Sequence, residues 1–386
     1  MGKAAALGQR TPQAGAQKAR RKQLTDRGGS CMSPIGLAVV GAGYWGPNLI
    51  RAARVTPAFQ LNWLCDRDLG RAQAALDQYT PVRATASYEQ VLADPDVGAV
   101  AIATPAATHF DLVRAALEAG KHVLVEKPLT ASVAEGVKLA ELAERSGLVL
   151  MCDHTYCYTP VVGRIRELIR SGEIGDVQFV DSVRVNLGLI QPDVDVLWDL
   201  APHDLSILDF VLPEGVVPVA VAAHTADPVS TGRACLAYLS LWMSNGVLAH
   251  VNVNWLSPMK IRTTVIGGTR RTIVWDDMNP PARLMIHDRG VDRLPADTVA
   301  PDERRQTLIS YRSGDTSIPA LPEKEALHAV MAEFAGAITE GRAPLTDAWS
   351  GVRVLAVLEA ASRSAERDGA RIPVTIGVAA RLEASR

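Results

Sequence analysis

Three glycines, two aspartates, a lysine and a histidine have the types and spacing that point to chemistry. Gly41, Gly43 and Gly46 stand in G-x-G-x-x-G register, directly after the apolar run Ile35–Val40 and before a helical pattern reaching Val55. Strand, glycine turn and helix in that order make a phosphate cradle. Gly41 forms the tight turn, Gly43 leaves the backbone open to a pyrophosphate, and Gly46 lets the helix pack on the strand. Free N–H groups at the helix start favour an anion there. A second apolar stretch, Leu61–Cys65, ends in Asp66, a carboxylate placed where an adenosine ribose would lie. Lys127 follows another apolar run and precedes Pro128, which removes a backbone donor and holds the lysine extended. In a dry crevice such a lysine can hydrogen-bond a substrate hydroxyl and share its proton. Asp199 and His203 are four apart at a predicted helix start, with Asp199 as the expected N-cap and Pro202 in the first turn. A helix N-terminus disfavours positive charge, which helps keep His203 neutral and able to accept a proton.

The elements that must position these groups alternate. Helices are expected over 71–79, 88–93, 108–120 and 131–146, with strands over 97–103, 121–125 and 148–152. Thr108 and Asp111 have capping-box spacing, and Gly120 suits the far cap. Strands and helices alternating at these lengths predict a doubly wound parallel α/β sheet. Ligands bind at the carboxyl ends of its strands, where Gly41, Asp66, Thr104 and Lys127 all fall. Beyond 153 the texture changes. A helix over 160–171 leads to 176–187, where apolar and polar residues alternate, and strands follow near 234–242, 247–256 and 261–266. This predicts an α+β domain with an open-faced mixed or antiparallel sheet, partly covered by helices over 323–341 and 347–366. The expected organisation is a basic, disordered tail over 1–33, a dinucleotide domain over 34–152, and a substrate and oligomerisation domain over 153–386.

Composition bounds the rest. A chain of 386 residues with 48% hydrophobic and 21% charged residues fits two globular domains. The net charge of −2 makes no case for nucleic acid or an anionic membrane, and no apolar run has the length of a span. Five cysteines without C-x-x-C spacing indicate neither a disulfide framework nor a metal site, so a reducing cytoplasm is expected. The first residues lack an apolar segment and are not a secretory signal. Met32, just before the first strand, is an alternative start.

Together these residues resemble the Gfo/Idh/MocA oxidoreductases. The resemblance covers about 34–370 and rests on Gly41-Ala42-Gly43-Tyr44-Trp45-Gly46, Ala103-Thr104-Pro105 with His109, Glu126-Lys127-Pro128, and Asp199 with His203. It implies a Rossmann domain followed by an open sheet that often forms an oligomer interface, and hydride transfer between NAD(P) and a ring secondary alcohol of a sugar or cyclitol. Carried over, Lys127 and His203 are the catalytic pair with Asp199 assisting. Tyr44, Trp45, Thr104, Pro105, His109 and Glu126 line the cofactor. Asp66 would bond the ribose 2′-hydroxyl and favour NAD, while Arg67 beside it would soften discrimination against NADP. Many members carry glycines before the aspartate. Here Asp195-Val196-Leu197-Trp198 precede it, so Trp198 is expected to reshape the substrate pocket. The Trp-Asp-Leu-x-Pro-His-Asp-Leu-Ser form is similar to a subgroup of sugar-modifying enzymes, which makes a nucleotide sugar the attractive substrate. An NAD-recycling glycosidase, a cyclitol dehydrogenase and a nucleotide-sensing protein without turnover are the alternatives.

Substrate contacts are sought in three polar rows: Arg184 with Asn186, His154 with Tyr156 and Tyr158, and His250 with Asn252 and Asn254. Alternation alone generates such rows on solvated or subunit-facing surfaces. Of these residues, Tyr156, Arg184 and Asn186 are expected nearest the crevice, where an arginine suits a phosphate or carboxylate.

Overall fold

The apolar run Ile35–Val40 becomes β1, buried on both faces from Leu37 onward, and the glycine turn delivers the chain into α1 (Gly46–Val55). The computed structural model describes residues 1–2, 33–76, 80–191, 194–293 and 309–375, so the tail expected over 1–33 lies almost wholly outside the described residues. The unit from Ile35 onward is described by itself.

Its first layer follows from alternating apolar runs and amphipathic helices. After α1 come β2 (Phe59–Cys65), α2 (Leu69–Ala74), β3 (Arg83–Thr85), α3 (Tyr88–Ala93) and β4 (Ala99–Ile102). Then come α4 (His109–Glu118), β5 (His122–Glu126), α5 (Val133–Ser146) and β6 (Leu150–Asp153). Among the described residues these strands form a six-stranded parallel sheet in the order β3-β2-β1-β4-β5-β6. That order reverses at β1/β4, which opens a crevice at the strands' carboxyl ends. Gly41 has φ of +100°, and a Cβ there would lie 2.5 Å from the Ala103 carbonyl oxygen. A Cβ on Gly46 would meet the Gly41 carbonyl oxygen at 2.3 Å, whereas one on Gly43 would meet nothing within 4 Å. Two glycines are therefore imposed by packing, and the third leaves open space over the turn.

The second layer begins with α6 (Pro160–Arg170), β7 (Val177–Leu187) and α7 (Val196–Val211). It continues through β8 (Pro218–Ala226), β9 (Leu236–Met243), β10 (Leu248–Asn254), β11 (Leu256–Gly268), β12 (Thr272–Asp276), β13 (Leu284–Arg293) and β14 (Ile309–Ser317). Two helices, α8 (Ala326–Glu340) and α9 (Ala348–Ala365), precede the short β15 (Ile372–Pro373). Among the described residues the sheet has nine strands, ordered β14-β13-β12-β11-β7-β10-β9-β8-β15, antiparallel except where β10 runs parallel to β7. One face is packed by α6, α7 and α9 around Leu239, Leu241, Val251 and Val253. The other is open and shows Phe179, Tyr238 and Leu248.

Several local expectations give way to tertiary structure. The Thr108 hydroxyl caps no helix N–H and instead bonds the Pro105 carbonyl at 2.8 Å. The helix expected over 71–79 is α2, starting at Leu69 on an Asp68 cap, and 77–79 lie outside the described residues. The N-cap of α7 is Asp195, whose carboxylate accepts from Trp198 N at 2.9 Å. Asp199 is thereby inside the first turn and free to point elsewhere. Nor does α8 cover the second sheet. Its Leu327, Val330, Met331 and Phe334 pack with Leu37, Val39 and Leu49 on the first. The chain returns to its starting layer because α1 leaves that apolar face of the sheet incomplete.

The helix α9 is apolar nearly all round, as a helix between two cores must be. Ala348, Val352 and Leu355 enter the first sheet's core, whereas Val354, Leu358 and Ala361 enter the second. Glycines permit the close approach: a Cβ on Gly351 would meet Leu129 side-chain atoms at 3.0 Å, and one on Gly136 of α5 would meet Leu355 at 3.0 Å. Gly351→Val should therefore cost about 1–3 kcal/mol through overpacking, read as a lower denaturation midpoint with unchanged m-value.

Candidate active site at the crevice between the sheets

Lys127 leaves the end of β5 through a cis peptide bond to Pro128. Its ammonium crosses to α7, where it donates to the Asp199 carboxylate at 2.9 Å and to the Asp199 backbone carbonyl at 2.7 Å. Asp199 is aimed by a second donor, the indole N–H of the buried Trp255, at 3.3 Å. Pro202 lacks an N–H, so the Trp198 carbonyl has no donor at i+4. One turn beyond Asp199 on α7 stands His203. Its ring meets Tyr156 edge-on at a centroid separation of 5.0 Å, and its Nδ1 is buried without a partner. Burial, then the charges of Lys127 and Arg184, push its pKa well below the ordinary imidazole value. His203 is thus held neutral one helical turn from an ion pair, with burial rather than its helix position as the larger cause.

A cleft of about 280 Å³ opens over this pair, lined by Gly43, Tyr44, Trp45, Thr104, Pro105, Glu126, Lys127, Trp198 and Asp199. The remaining candidates serve it from behind. Gly41 and Gly46 shape the turn. Asp66, 8% exposed, accepts from Ala42 N at 2.8 Å and from Asp68 N at 2.9 Å, which ties the glycine loop to the end of β2. The cation nearest its carboxylate is Arg71, at 3.8 Å, while Arg67 is exposed. His109 is closed off behind the cleft. Its Nδ1 lies 2.8 Å from the Pro128 carbonyl and its Nε2 2.9 Å from the Thr104 carbonyl, at 1% exposure. It braces two loops and has no ring nitrogen left for a ligand.

On the substrate side, β7 sends Ser182 and Arg184 to the helix-covered face of the second sheet, and Asn186 follows, half-buried, beside Trp255 and Gly188. Arg184 is clamped by Asp204 at 2.7 and 3.1 Å and lies over the Tyr156 ring at 4.3 Å. Burial opposes the Arg184 charge, yet Asp204 keeps its pKa raised. Ser182 also donates to Asp204, at 2.8 Å. Arg262 pairs with Arg184 across β7/β11 and faces Tyr156 from 5.8 Å. Tyr156 and its neighbours sit in a 3₁₀ turn, Thr155–Tyr158, not in the alternating row expected from their spacing. Tyr158 turns away to Thr346 at 2.8 Å, and His250, Asn252 and Asn254 lie on the open face of the sheet, away from Arg184. Trp198 lines the cleft while its indole N–H holds Ser362 of α9 at 3.0 Å.

Sequence reasoning passed over Asp153, Asp204 and Trp255. Asp204 carried a usable signal: an acid among Leu200, Ala201, Leu205 and Leu208 must find a buried cation. Trp255 carried none, because its role depends on a neighbouring strand. Among the described residues no group of His, Cys, Asp or Glu is arranged to hold a metal ion, and no helix is long and apolar enough to cross a membrane.

A glycine turn, an acid at the second strand's end and a crevice lined by Lys127 and Asp199, with His203 buried one helical turn behind, define a dinucleotide-dependent oxidoreductase architecture. Residues 35–154 match the oxidoreductase family with an NAD-binding Rossmann fold, and residues 162–274 match the GFO/IDH/MocA C-terminal domain. The chain belongs to the Gfo/Idh/MocA oxidoreductase family. It is 29% identical over 331 residues to UDP-N-acetylglucosamine 3-dehydrogenase of Acidithiobacillus ferrooxidans, covering 82% of this chain and 93% of the relative. A solved structure of that enzyme superposes with a TM-score of 0.71 at 27% identity, covering 87% and 99% of the two chains. The D-xylose 1-dehydrogenase (NADP(+)) 2 of Haloferax volcanii is 30% identical over 320 residues, 80% of this chain and 90% of that one. GenD2 from gentamicin A biosynthesis, solved with NAD, has a TM-score of 0.73 at 25% identity, covering 89% and 97%.

Two outcomes test the site's electrostatics. Asp204→Asn strands the Arg184 charge and should cost about 3–5 kcal/mol of stability, measured by urea denaturation. His154, 1% exposed with neither ring nitrogen partnered, is held down to about 3 by burial and then by Lys127 and Arg353. Below about pH 6.5 the unfolded chain therefore takes up a proton that the folded chain refuses. Wild type should lose stability relative to His154→Gln by up to about 1.4 kcal/mol per pH unit as the pH falls. Parallel stability curves for the two proteins would refute this.

Proposed function

We propose that this chain is an NAD-dependent dehydrogenase or ketoreductase acting on a ring hydroxyl or ketone of a sugar, with a nucleotide-activated sugar as the preferred substrate. The observation that carries it is the Lys127–Asp199 ion pair bridging the two sheets, with neutral His203 one helical turn away. When bound, the nicotinamide supplies the hydride acceptor or donor. His203 takes the hydroxyl proton, Lys127 stabilises the alkoxide that develops, and Asp199 holds Lys127 in place. Residues 34–152 carry the dinucleotide in this reading, and residues 153–386 the substrate. The Gly41–Gly46 turn fits a pyrophosphate because its only unfilled glycine space is over Gly43. Asp66 supports a preference for NAD, and Arg71 is the cation that would moderate it.

Support for a nucleotide sugar comes from the relatives' names. A homo-oligomer joined through the open face of the second sheet is part of the same reading, since Phe179, Tyr238 and Leu248 are each exposed there. A cytoplasmic location accords with free, buried Cys65, Cys152, Cys157 and Cys235.

The test is absorbance at 340 nm with NAD and a panel of UDP- and dTDP-sugars, free sugars and inositol. Net NADH formation with a nucleotide sugar is expected. Sugar release without net NADH would replace this reading with the NAD-recycling glycosidase. Lys127→Ala should lower kcat about 100- to 10,000-fold while NAD affinity, read by fluorescence quenching, stays within a factor of a few. In the residual activity the acidic limb of the rate profile should move to higher pH, because removing the lysine charge lets the His203 pKa rise. A wild-type rate in Lys127→Ala would eliminate the catalytic role.

A further inference from the structure

Glu126 and Asp153 stand side by side at the carboxyl ends of β5 and β6 as register partners of adjacent parallel strands. Both are buried, at 9% and 1% exposure. Their donors are few. Thr155 donates to Asp153 Oδ1 at 2.8 Å, and Lys127 N approaches Glu126 Oε2 at 3.3 Å. No hydrogen bond of full geometry reaches Glu126 Oε1, Asp153 Oδ2 or the Trp45 indole N–H from the glycine turn, so the two carboxyls interact chiefly with each other, and the indole approaches Asp153.

No cation is hydrogen-bonded to this pair, although the Lys127 charge partly offsets the upward push on Glu126. The Lys127 ammonium is spent on Asp199 of α7, and Arg353 of α9 is bidentate to Asp209 at 2.6 and 2.8 Å. Burial pushes the Cys152, Cys157 and Tyr158 pKa values up and that of His154 down, so these neighbours are neutral. On the far side of β6, the Asp347 carboxylate caps α9 through Ser350 N at 2.8 Å. Two adjacent buried carboxylates with no cation hydrogen-bonded to either resist double ionisation, so one proton is retained between them. Burial and the neighbouring acid raise Glu126, and burial raises Asp153, in the same direction.

What distinguishes this pair from an inert buried dyad is its place. Glu126 lines the same cleft as Gly43, Trp45 and Lys127. A nicotinamide lying there changes charge with its redox state: the oxidised ring is a cation and the reduced ring is neutral. We propose that Glu126 and Asp153 form a one-proton carboxyl pair that discriminates the two cofactor redox states, losing its proton when the ring is cationic and keeping it when the ring is neutral. The step is an ionisation only: a carboxylic acid becomes a carboxylate and the proton passes to solvent. The inference rests on the dinucleotide reading of the cleft. Its consequence is that NAD⁺ affinity depends on pH and NADH affinity does not.

The test is calorimetric titration of the full chain with NAD⁺ and with NADH, between pH 6 and 9, in two buffers of different ionisation heat. Wild type should release a proton on binding NAD⁺, with Kd tightening by up to about tenfold per pH unit, and none on binding NADH. Glu126→Gln should weaken NAD⁺ and flatten its pH dependence. Asp153→Asn removes the competing acid, so it should bind NAD⁺ more tightly than wild type at the low end of the range. NADH affinity should be independent of pH in all three, whatever its absolute value, and NADH binding by each variant reports that it is folded. If Glu126→Gln does not fold, the opposite-signed effect of Asp153→Asn still decides. Equal pH dependence for NAD⁺ and NADH, or proton release that survives in either variant, overturns the proposal and leaves the cofactor reading intact. Failure of wild type to bind either dinucleotide overturns both.

Discussion

One ion pair holds the candidate site together. Lys127 comes from the end of a parallel strand, Asp199 from the first turn of a helix in the other layer, and they meet at 2.9 Å with side chains only 17% and 22% exposed. Partly desolvated charges repay their burial only when geometry is good and further hydrogen bonds are made. Both conditions hold, since the ammonium also takes a helix carbonyl and the carboxylate also takes the Trp255 indole. The pair fixes where β5 ends relative to α7, and thereby where the Rossmann crevice faces the second sheet.

The other charges in the crevice follow from that arrangement. Lys127, Arg184 and Arg262 surround His203 and add to burial in keeping it neutral. Arg184 is tolerated because Asp204 clamps it and Tyr156 covers it. These groups are costly to bury and contribute little net stability, so the core must supply it. It does so through α9, which fills the space between both sheets with alanine, valine and leucine. A rigid helix shared by two cores keeps two layers from sliding, and a site assembled from both layers needs that.

The second sheet shows how register divides function. Along β7, Ser182 and Arg184 turn toward the helices and the crevice, whereas Phe179, Asp181 and Val183 turn to the open face. A shift of one residue would exchange them. Arg184 and His250 look equivalent as members of polar rows, and only strand pairing separates a residue buried under the helices from one on an outer surface.

The parallel half of the molecule was largely legible because local rules sufficed. Buried strands read as apolar runs, the glycine spacing required a turn, and the Gly-Ala-Gly-Tyr-Trp-Gly, Glu-Lys-Pro and Asp-x-x-x-His groups are short in sequence. From these alone could be read the glycine turn, a doubly wound parallel sheet and the candidate residues Lys127, Asp199 and His203, but not the order of the strands. Tertiary structure decided what depends on distant neighbours. It moved the α7 cap to Asp195, sent α8 back to the first sheet, closed His109 between two carbonyls and paired Arg184 with Asp204. The physical reason is range. Propensity and spacing act over one or two turns, whereas a buried charge or an uncovered apolar face is satisfied by whichever segment the packed chain brings to it.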